Sequence, residues 1–343
     1  MTANATQRPS QHSTLEGAGT IRNTSRNRFK KALFFGAVLT AIVLIYLHPF
    51  TVNKVLKRFD QFHPLFDAEE VHIPLENILE TKYPPKKDGK TIFFLETRKP
   101  LDEVPVITSR QACSVESAAL TNSLRDVFFL FAYEVAFFNK TPLPLIDALL
   151  SYQNVRLAYF VVDEYVKNTP LAKWFETCEI FTSRHFVQHL SDVLRIITLW
   201  KFTGTYFDTD VIVKKAVSSM EPNFACMQQD GTVNTAILNL DGKLGTAIAE
   251  IIMQEIIENF NAESWTGNGP EILSDLVESM CTTDEKLKMK PKNCDGFKIL
   301  PFEACSRIHF VEWQKFFREE FLDEVLRKTK KSFAIHFWSF LSV

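Results

Sequence analysis

Two carboxylates one residue apart, Asp208-Thr209-Asp210, stand between Tyr206-Phe207 and Val211-Ile212-Val213. An acidic pair in so apolar a segment calls for a partner, because burying an ionised carboxylate is costly unless it is paired or bound. At a strand end the backbone can turn both side chains toward one site. Two hard oxygen ligands there suit Mn2+ or Mg2+, with phosphate oxygens and water completing the shell. The plain alternative is a solvated acidic turn. Upstream, Asp192 and Arg195 fall on one face of a helix, one above the other. Downstream, Phe333-Ala334-Ile335-His336-Phe337-Trp338 reads as a strand, and alternation puts His336 and Trp338 on the same side. A histidine there is either a ligand or a satisfied core residue.

The elements that must position these groups follow from periodicity. From His189 to Phe202 the apolar residues go nearly all the way round, which predicts a buried helix. Gly204 breaks it, and a short strand then runs into the acidic pair. Ile92–Leu95, Val127–Phe131 and Val155–Tyr159 read as strands, and Ser114–Thr121 and Leu145–Ser151 as helices. That alternation predicts an α/β fold, a mostly parallel central sheet with flanking helices. The acidic pair then lies at the carboxyl end of a strand, where open α/β sheets bind ligands. A further short helix is predicted near Leu75–Leu79.

The chain of 343 residues, 46% hydrophobic with net charge -2, can bury a full core, and its near-neutral balance gives no support for nucleic-acid binding. Residues 1–31 form a polar tail. Residues 32–50 read as a transmembrane signal-anchor, uncharged from Ala32 to Leu47 and without a small-residue cleavage site after it. Arg22, Arg26, Arg28, Lys30 and Lys31 precede it closely, so the tail is expected in the cytosol and the bulk in a lumen. Residues 51–89, with Pro64, Pro74, Pro84 and Pro85, read as a stem, and 90–343 as the lumenal domain. Among the six cysteines, Cys281 and Cys294 bracket a Lys-rich loop and are expected to pair. Asn139-Lys140-Thr141 is a glycosylation sequon that can be used or stand unused.

Taken in order, Phe93-Phe94-Leu95-Glu96-Thr97, Cys113-Ser114-Val115-Glu116-Ser117-Ala118-Ala119, Ser191-Asp192-X-X-Arg195, Trp200-Lys201-Phe202-X-Gly204-X-Tyr206-X-Asp208-Thr209-Asp210, Gly267-X-Gly269-Pro270 and His336-X-Trp338 resemble the animal alpha-1,4-glycosyltransferases, which carry the DxD sugar-binding motif. The resemblance spans roughly residues 90 to 338. It implies the GT-A type nucleotide-diphosphosugar transferase fold. It also implies a hexosyltransferase that moves galactose or N-acetylgalactosamine from UDP-galactose or UDP-N-acetylgalactosamine, with retention, in alpha-1,4 linkage onto a glycosphingolipid. The setting it implies is the Golgi membrane, with the enzyme a single-pass type II protein in homo- or hetero-oligomers with other glycosyltransferases.

The resemblance assigns roles as well. Asp210 is the closer metal ligand, Asp208 reaches metal, ribose or sugar, and His336 completes the metal or diphosphate site. Asp192 and Arg195 hold sugar hydroxyls and phosphate, and Trp338 closes over the site. Phe94 and Thr97 line a uridine pocket, with Glu116 a further candidate. Asn234 matches a residue near the donor sugar, or is a turn asparagine after Asp230-Gly231. Gly269 either allows close backbone approach to donor or acceptor, or belongs to plain helix initiation at Pro270. Thr203 stands where the family has a glycine, which strains the backbone if φ is positive. Ser339 stands where the family has an asparagine. The competing expectation is a non-catalytic member that assists other transferases.

Overall fold

The computed structural model describes residues 72–99, 107–134, 136–138, 143–281 and 292–342. The expected tail, the anchor at 32–50 and the sequon at 139–141 lie outside them. Among the described residues no helix is long and apolar enough to cross a membrane.

In chain order the strands are β1 (His72–Pro74), β2 (Glu76–Asn77), β3 (Ile92–Glu96), β4 (Val127–Phe131), β5 (Ala136–Phe138), β6 (Val155–Tyr159), β7 (Gly204–Phe207), β8 (Val211–Val213), β9 (Phe224–Met227), β10 (Val233–Leu240), β11 (Lys292–Cys294), β12 (Phe297–Leu300) and β13 (Ala334–His336). The principal helices are α1 (Ser109–Thr121), α2 (Pro144–Leu150), α3 (Phe186–Phe202), α4 (Gly242–Asn259), α5 (Ile272–Met280) and α6 (Leu322–Thr329).

A sheet of order β11-β12-β9-β10-β7-β3-β4-β6-β2 forms the centre. β7, β3, β4, β6 and β2 are all parallel, and β3 and β4 are buried along their whole length. That is how strands covered on both faces read in sequence, as unbroken apolar runs. The other half is mixed: β10 runs antiparallel to both β7 and β9. The expected mostly parallel sheet is therefore confined to one half. Two cores flank the sheet, and Phe93 and Leu95 of β3 enter one while Ile92 and Phe94 enter the other.

Two expectations change. There is no helix near Leu75–Leu79. Glu76–Asn77 instead pairs with Ala158–Tyr159 at the sheet edge, and the Ile78 amide donates to the Tyr159 carbonyl at 2.9 Å. A vacant parallel edge overrides local propensity there. Part of the stretch read as stem thus extends the sheet. α1 also begins earlier than expected, at a capping box in which Thr108 and Gln111 satisfy each other's backbone amides.

α3 ends at Thr203, whose φ of 53° and ψ of 158° lie in territory proper to glycine. The strain anticipated for Thr203 is present. Gly204 (φ 135°) is tighter still, because a Cβ there would lie 2.3 Å from the Thr91 carbonyl oxygen. The close passage of this turn under β3 brings β7 into the middle of the sheet.

Cys281 and Cys294 are disulfide-bonded as expected, and Cys226 pairs with Cys305. The second bridge ties β9 to the C-terminal segment that carries β13. Its 79-residue separation corresponds to about 4.5 kcal/mol of chain-entropy stabilisation.

Candidate active site

β7 ends at the acidic pair. The Asp208 amide donates to the Ala236 carbonyl (2.8 Å) and the Val211 amide to the Asp208 carbonyl (3.1 Å), so the chain turns tightly out of the sheet. It continues as β8, which pairs not with the sheet but with β13, placing His336 opposite Val211. This pairing carries His336 to the acidic pair: its Nε2 lies 3.1 Å from Asp210 Oδ1. The Phe337 amide donates to the Asp210 carbonyl (3.1 Å) and the Ser339 amide to Asp210 Oδ2 (2.9 Å). The Ser339 contact runs through the backbone, so serine in place of the family's asparagine leaves it intact. Trp338, with φ 55°, stacks on His336 at a ring separation of 3.7 Å and donates from Nε1 to the Ile308 carbonyl. Burial works to raise the Asp210 carboxyl. The His336 imidazole and the amides of Ser339 and Asp210 pull it below its ordinary value.

One ligand atom from each of Asp208, Asp210 and His336 lies within 4.8 Å of the other two. A divalent ion with ligands at about 2.1 Å keeps them roughly 3–4 Å apart, so a small inward movement would seat one. His336 Nδ1 is buried without a hydrogen-bond partner. A buried ring nitrogen left without a partner, on a histidine whose other nitrogen faces Asp210, fits a group that the chain does not itself supply.

Behind Asp208 stands Arg195, almost completely buried. Its Nη1 lies 3.2 Å from Asp208 Oδ1 and donates to Thr235 Oγ1 at 3.2 Å. Its Nη2 lies 3.0 Å from Asp192 Oδ1 and donates to Ser191 Oγ, while Nε donates to the Ser191 carbonyl. The guanidinium also lies over the Tyr206 ring, 4.8 Å from its centroid. Burial opposes its charge, yet Asp208, Tyr206 and Asp192 hold it more firmly protonated than usual. The Tyr206 hydroxyl donates to Asp208 Oδ1 at 2.6 Å. Burial keeps that phenol well above its ordinary value, so it remains a donor. Asp208 is thus fixed from behind by a cation and a phenol.

These groups open onto a cleft of about 1160 Å³ beyond the carboxyl ends of β3 and β7. That lies at the upper end of the usual size of ligand pockets, roughly 300–1,000 Å³. Thr97, Arg195, Asp208, Asp210, Asn234, His336 and Trp338 all line it.

Four sequence candidates lie elsewhere. Phe94 is fully buried on the far face of β3, packed against Phe207 at 5.9 Å. Asp192 is buried beneath Arg195, with Oδ2 unpartnered, and does not line the cleft. Gly269 lets backbone approach Asp192 rather than a substrate, for a Cβ there would lie 2.9 Å from Asp192 Oδ1. Glu116 accepts from the Tyr152 hydroxyl at 2.5 Å, away from the cleft. Sequence reasoning missed Tyr206 and Thr235. Tyr206 carries a signal, since strand period places it on the same side as Asp208. Thr235 carries none.

Burial pushes the Asp192 carboxyl up to about 6, against the pull of Arg195. The folded protein then holds a proton that the unfolded chain loses near pH 4, so ionising Asp192 costs stability as pH rises from about 4 to about 6. Asp192→Asn abolishes that titration. Its Tm, relative to the parent, is expected to climb between about pH 4 and pH 6.5 and then level off. A difference that stays flat across that range would mean Asp192 keeps one charge state throughout.

Comparison with known proteins follows the same lines. Residues 108–226 match the family description "Glycosyltransferase sugar-binding region containing DXD motif". Residues 242–343 match "Alpha 1,4-glycosyltransferase conserved region". Each of the two matches covers about a third of the chain, in separate stretches. Human lactosylceramide 4-alpha-galactosyltransferase is 27% identical over 325 residues, covering 93% of this chain and 87% of the relative. The mouse protein of the same name is 27% identical over 323 residues, covering 93% and 84%. Human alpha-1,4-N-acetylglucosaminyltransferase is 25% identical over 258 residues, covering 73% and 72%. Among solved structures, the galactosyltransferase LgtC with donor and acceptor sugar analogues aligns at 11% identity and a TM-score of 0.37, over 72% of this chain and 86% of that one. Both matched descriptions and all three relatives are of glycosyltransferases.

Proposed function

We propose that this protein is a GT-A type, retaining transferase that moves galactose or N-acetylgalactosamine from a UDP-sugar, in alpha-1,4 linkage, onto a glycosphingolipid ending in galactose. The convergence of Asp208, Asp210 and His336 at the wall of a large cleft carries the reading. Those three residues would hold a divalent ion, Mn2+ or Mg2+. Bound there, the ion would neutralise charge on the departing diphosphate. Arg195 and Tyr206 keep the Asp208 carboxylate aimed, and the Ser339 and Phe337 amides do the same for Asp210. Retention fits front-face attack, with the leaving diphosphate accepting the proton of the acceptor hydroxyl.

The names of the curated relatives support the alpha-1,4 glycolipid reading, and the two galactosyltransferases align over more of this chain than the N-acetylglucosaminyltransferase does. The apolar run at 32–50, with basic residues before it, supports a type II membrane anchor with the catalytic domain lumenal, and we place it in the Golgi beside other glycosyltransferases. A donor screen with a lactosyl acceptor tests the function. Transfer from UDP-galactose or UDP-N-acetylgalactosamine is the expected result. Transfer from UDP-N-acetylglucosamine alone would reassign the donor, and no transfer from any UDP-sugar would remove the reading.

A further inference from the structure

The cleft has an apolar rim that the proposed chemistry does not use. On one side, Phe186 and Val187 open α3 and line the cleft. The Phe181 ring lies 6.1 Å from that of Phe186. On the other side, Phe310 lines the cleft and packs edge-on against Trp338 at 6.0 Å, and Val311 follows it in the chain. The two sides come from opposite faces of the sheet, because α3 packs into one core while Phe333 and Ala334, at the start of β13, enter the other. Phe181 is 56% exposed, Val311 63%, Val187 41% and Phe310 40%. Single exposed apolar residues are ordinary, but several gathered at one opening mark a surface that something covers.

The path of the chain points to the cover. β1 pairs with β5, which follows the carboxyl end of β4, and β2 lies beside Ala158 and Tyr159, the carboxyl end of β6. The chain therefore joins the sheet at the end that carries the cleft, and it arrives there from the apolar run at 32–50. A glycosphingolipid holds its sugars directly on the membrane surface, so a cleft that acts on the terminal ring must come against that surface. We propose that the apolar rim, Phe181 and Val187 on one side and Phe310 and Val311 on the other, docks on the lipid bilayer that carries the acceptor. The proposal rests on the transferase reading and adds the surface through which the domain meets its substrate. Apolar side chains buried shallowly at the headgroup boundary are how interfacial proteins attach. The charges at the rim favour apolar over ionic attachment: two cleft arginines, Arg98 and Arg184, each face a carboxylate, Glu96 at 3.3 Å and Glu263 at 3.7 Å. Docking should therefore form on a zwitterionic bilayer and survive raised salt.

The test uses the full chain reconstituted in phosphatidylcholine nanodiscs, with a photocrosslinking residue at one site. Val311→p-benzoylphenylalanine is expected to form lipid adducts, read by mass spectrometry, at about fivefold or more the level of Leu124→p-benzoylphenylalanine. Leu124 is 99% exposed and lies between α1 and the start of β4, at the end of the sheet away from the cleft. In a second arm, Phe181→Asp is combined with Val311→Asp, neither of which lines the cleft. The KM for a lactosyl sphingolipid in vesicles, with the donor selected by the UDP-sugar screen, is expected to rise about tenfold or more. The KM for water-soluble methyl β-lactoside and the Mn-dependent UDP affinity are expected to stay at the parent level. Equal lipid labelling from Val311 and Leu124, or labelling of a second copy of the chain in place of lipid, overturns the docking rim and leaves the transferase reading standing. A lipid-acceptor KM within about twofold of the parent in the double variant also overturns it. A full chain that does not enter the nanodisc contradicts the anchor at 32–50 and overturns the proposal as well. Absence of UDP binding in the parent protein removes the transferase reading, and the proposal with it.

Discussion

Asp210→Asn is expected to lower transfer by about a thousandfold or more, equivalent to about 4 kcal/mol of transition-state stabilisation. The substitution keeps the shape of the side chain. Its amide oxygen can still accept from the Ser339 amide, and the backbone bond from Phe337 is untouched. Only the charge is lost, and with it the carboxylate oxygen's full strength as an acceptor opposite His336 Nε2, 3.1 Å away in the parent. Stability should fall modestly, because the folded protein favours the ionised carboxylate, while the donor KM rises and kcat collapses. That split separates a carboxylate that would hold the ion facing the diphosphate from a structural carboxylate, whose loss would show first in Tm. Steady-state kinetics on the UDP-sugar, run beside a thermal melt, checks both halves. Near-parent kcat in a folded Asp210→Asn protein would show that the reaction does not need this charge.

The second large effect is at Arg195. Arg195→Met strips the fully buried Asp192 of its cation and takes one partner from Asp208 at the cleft wall, and breaking a buried pair such as Arg195–Asp192 costs about 3–5 kcal/mol. Activity should fall at least a hundredfold, because Asp208 loses one of the two groups that aim it. Folding and aiming are separable by a second substitution. Asp192→Asn in the Arg195→Met background removes one of the stranded charges and is expected to recover a good part of the stability without recovering activity. Recovery of both would mean that Arg195 acts only through the fold. Arg195→Lys should behave as an intermediate, since an ammonium supplies the charge but cannot bridge Asp192, Asp208, Thr235 and Ser191 at once.

The acidic pair was legible in the sequence because two carboxylates interrupt an apolar strand, and burial gives such residues few other uses. The fully buried β3 and β4 were legible for a related reason, as apolar runs of strand length. The same property hid which face of β3 meets the cleft. With both faces apolar, alternation cannot tell Phe94, which enters the core, from its neighbours. Asp192 was found as a partner of Arg195, but helix spacing does not say which of two stacked charges is nearer the cleft.

The pairing of β8 with β13, which delivers His336 to Asp210, and the Cys226–Cys305 bridge join segments remote in sequence. No local pattern encodes such contacts, and His336 was placed by family resemblance alone. Thr203 was legible in a different sense. A β-branched residue where relatives carry glycine announced a strained backbone, and the strain is there.

The most direct test of the central claim is calorimetry of UDP binding to the full-length protein, with and without Mn2+. The account predicts saturable binding with the ion, little or none in chelator, and the same loss in Asp210→Asn when the ion is present. Equal affinity in chelator and in Mn2+, or undiminished affinity in Asp210→Asn, would contradict it.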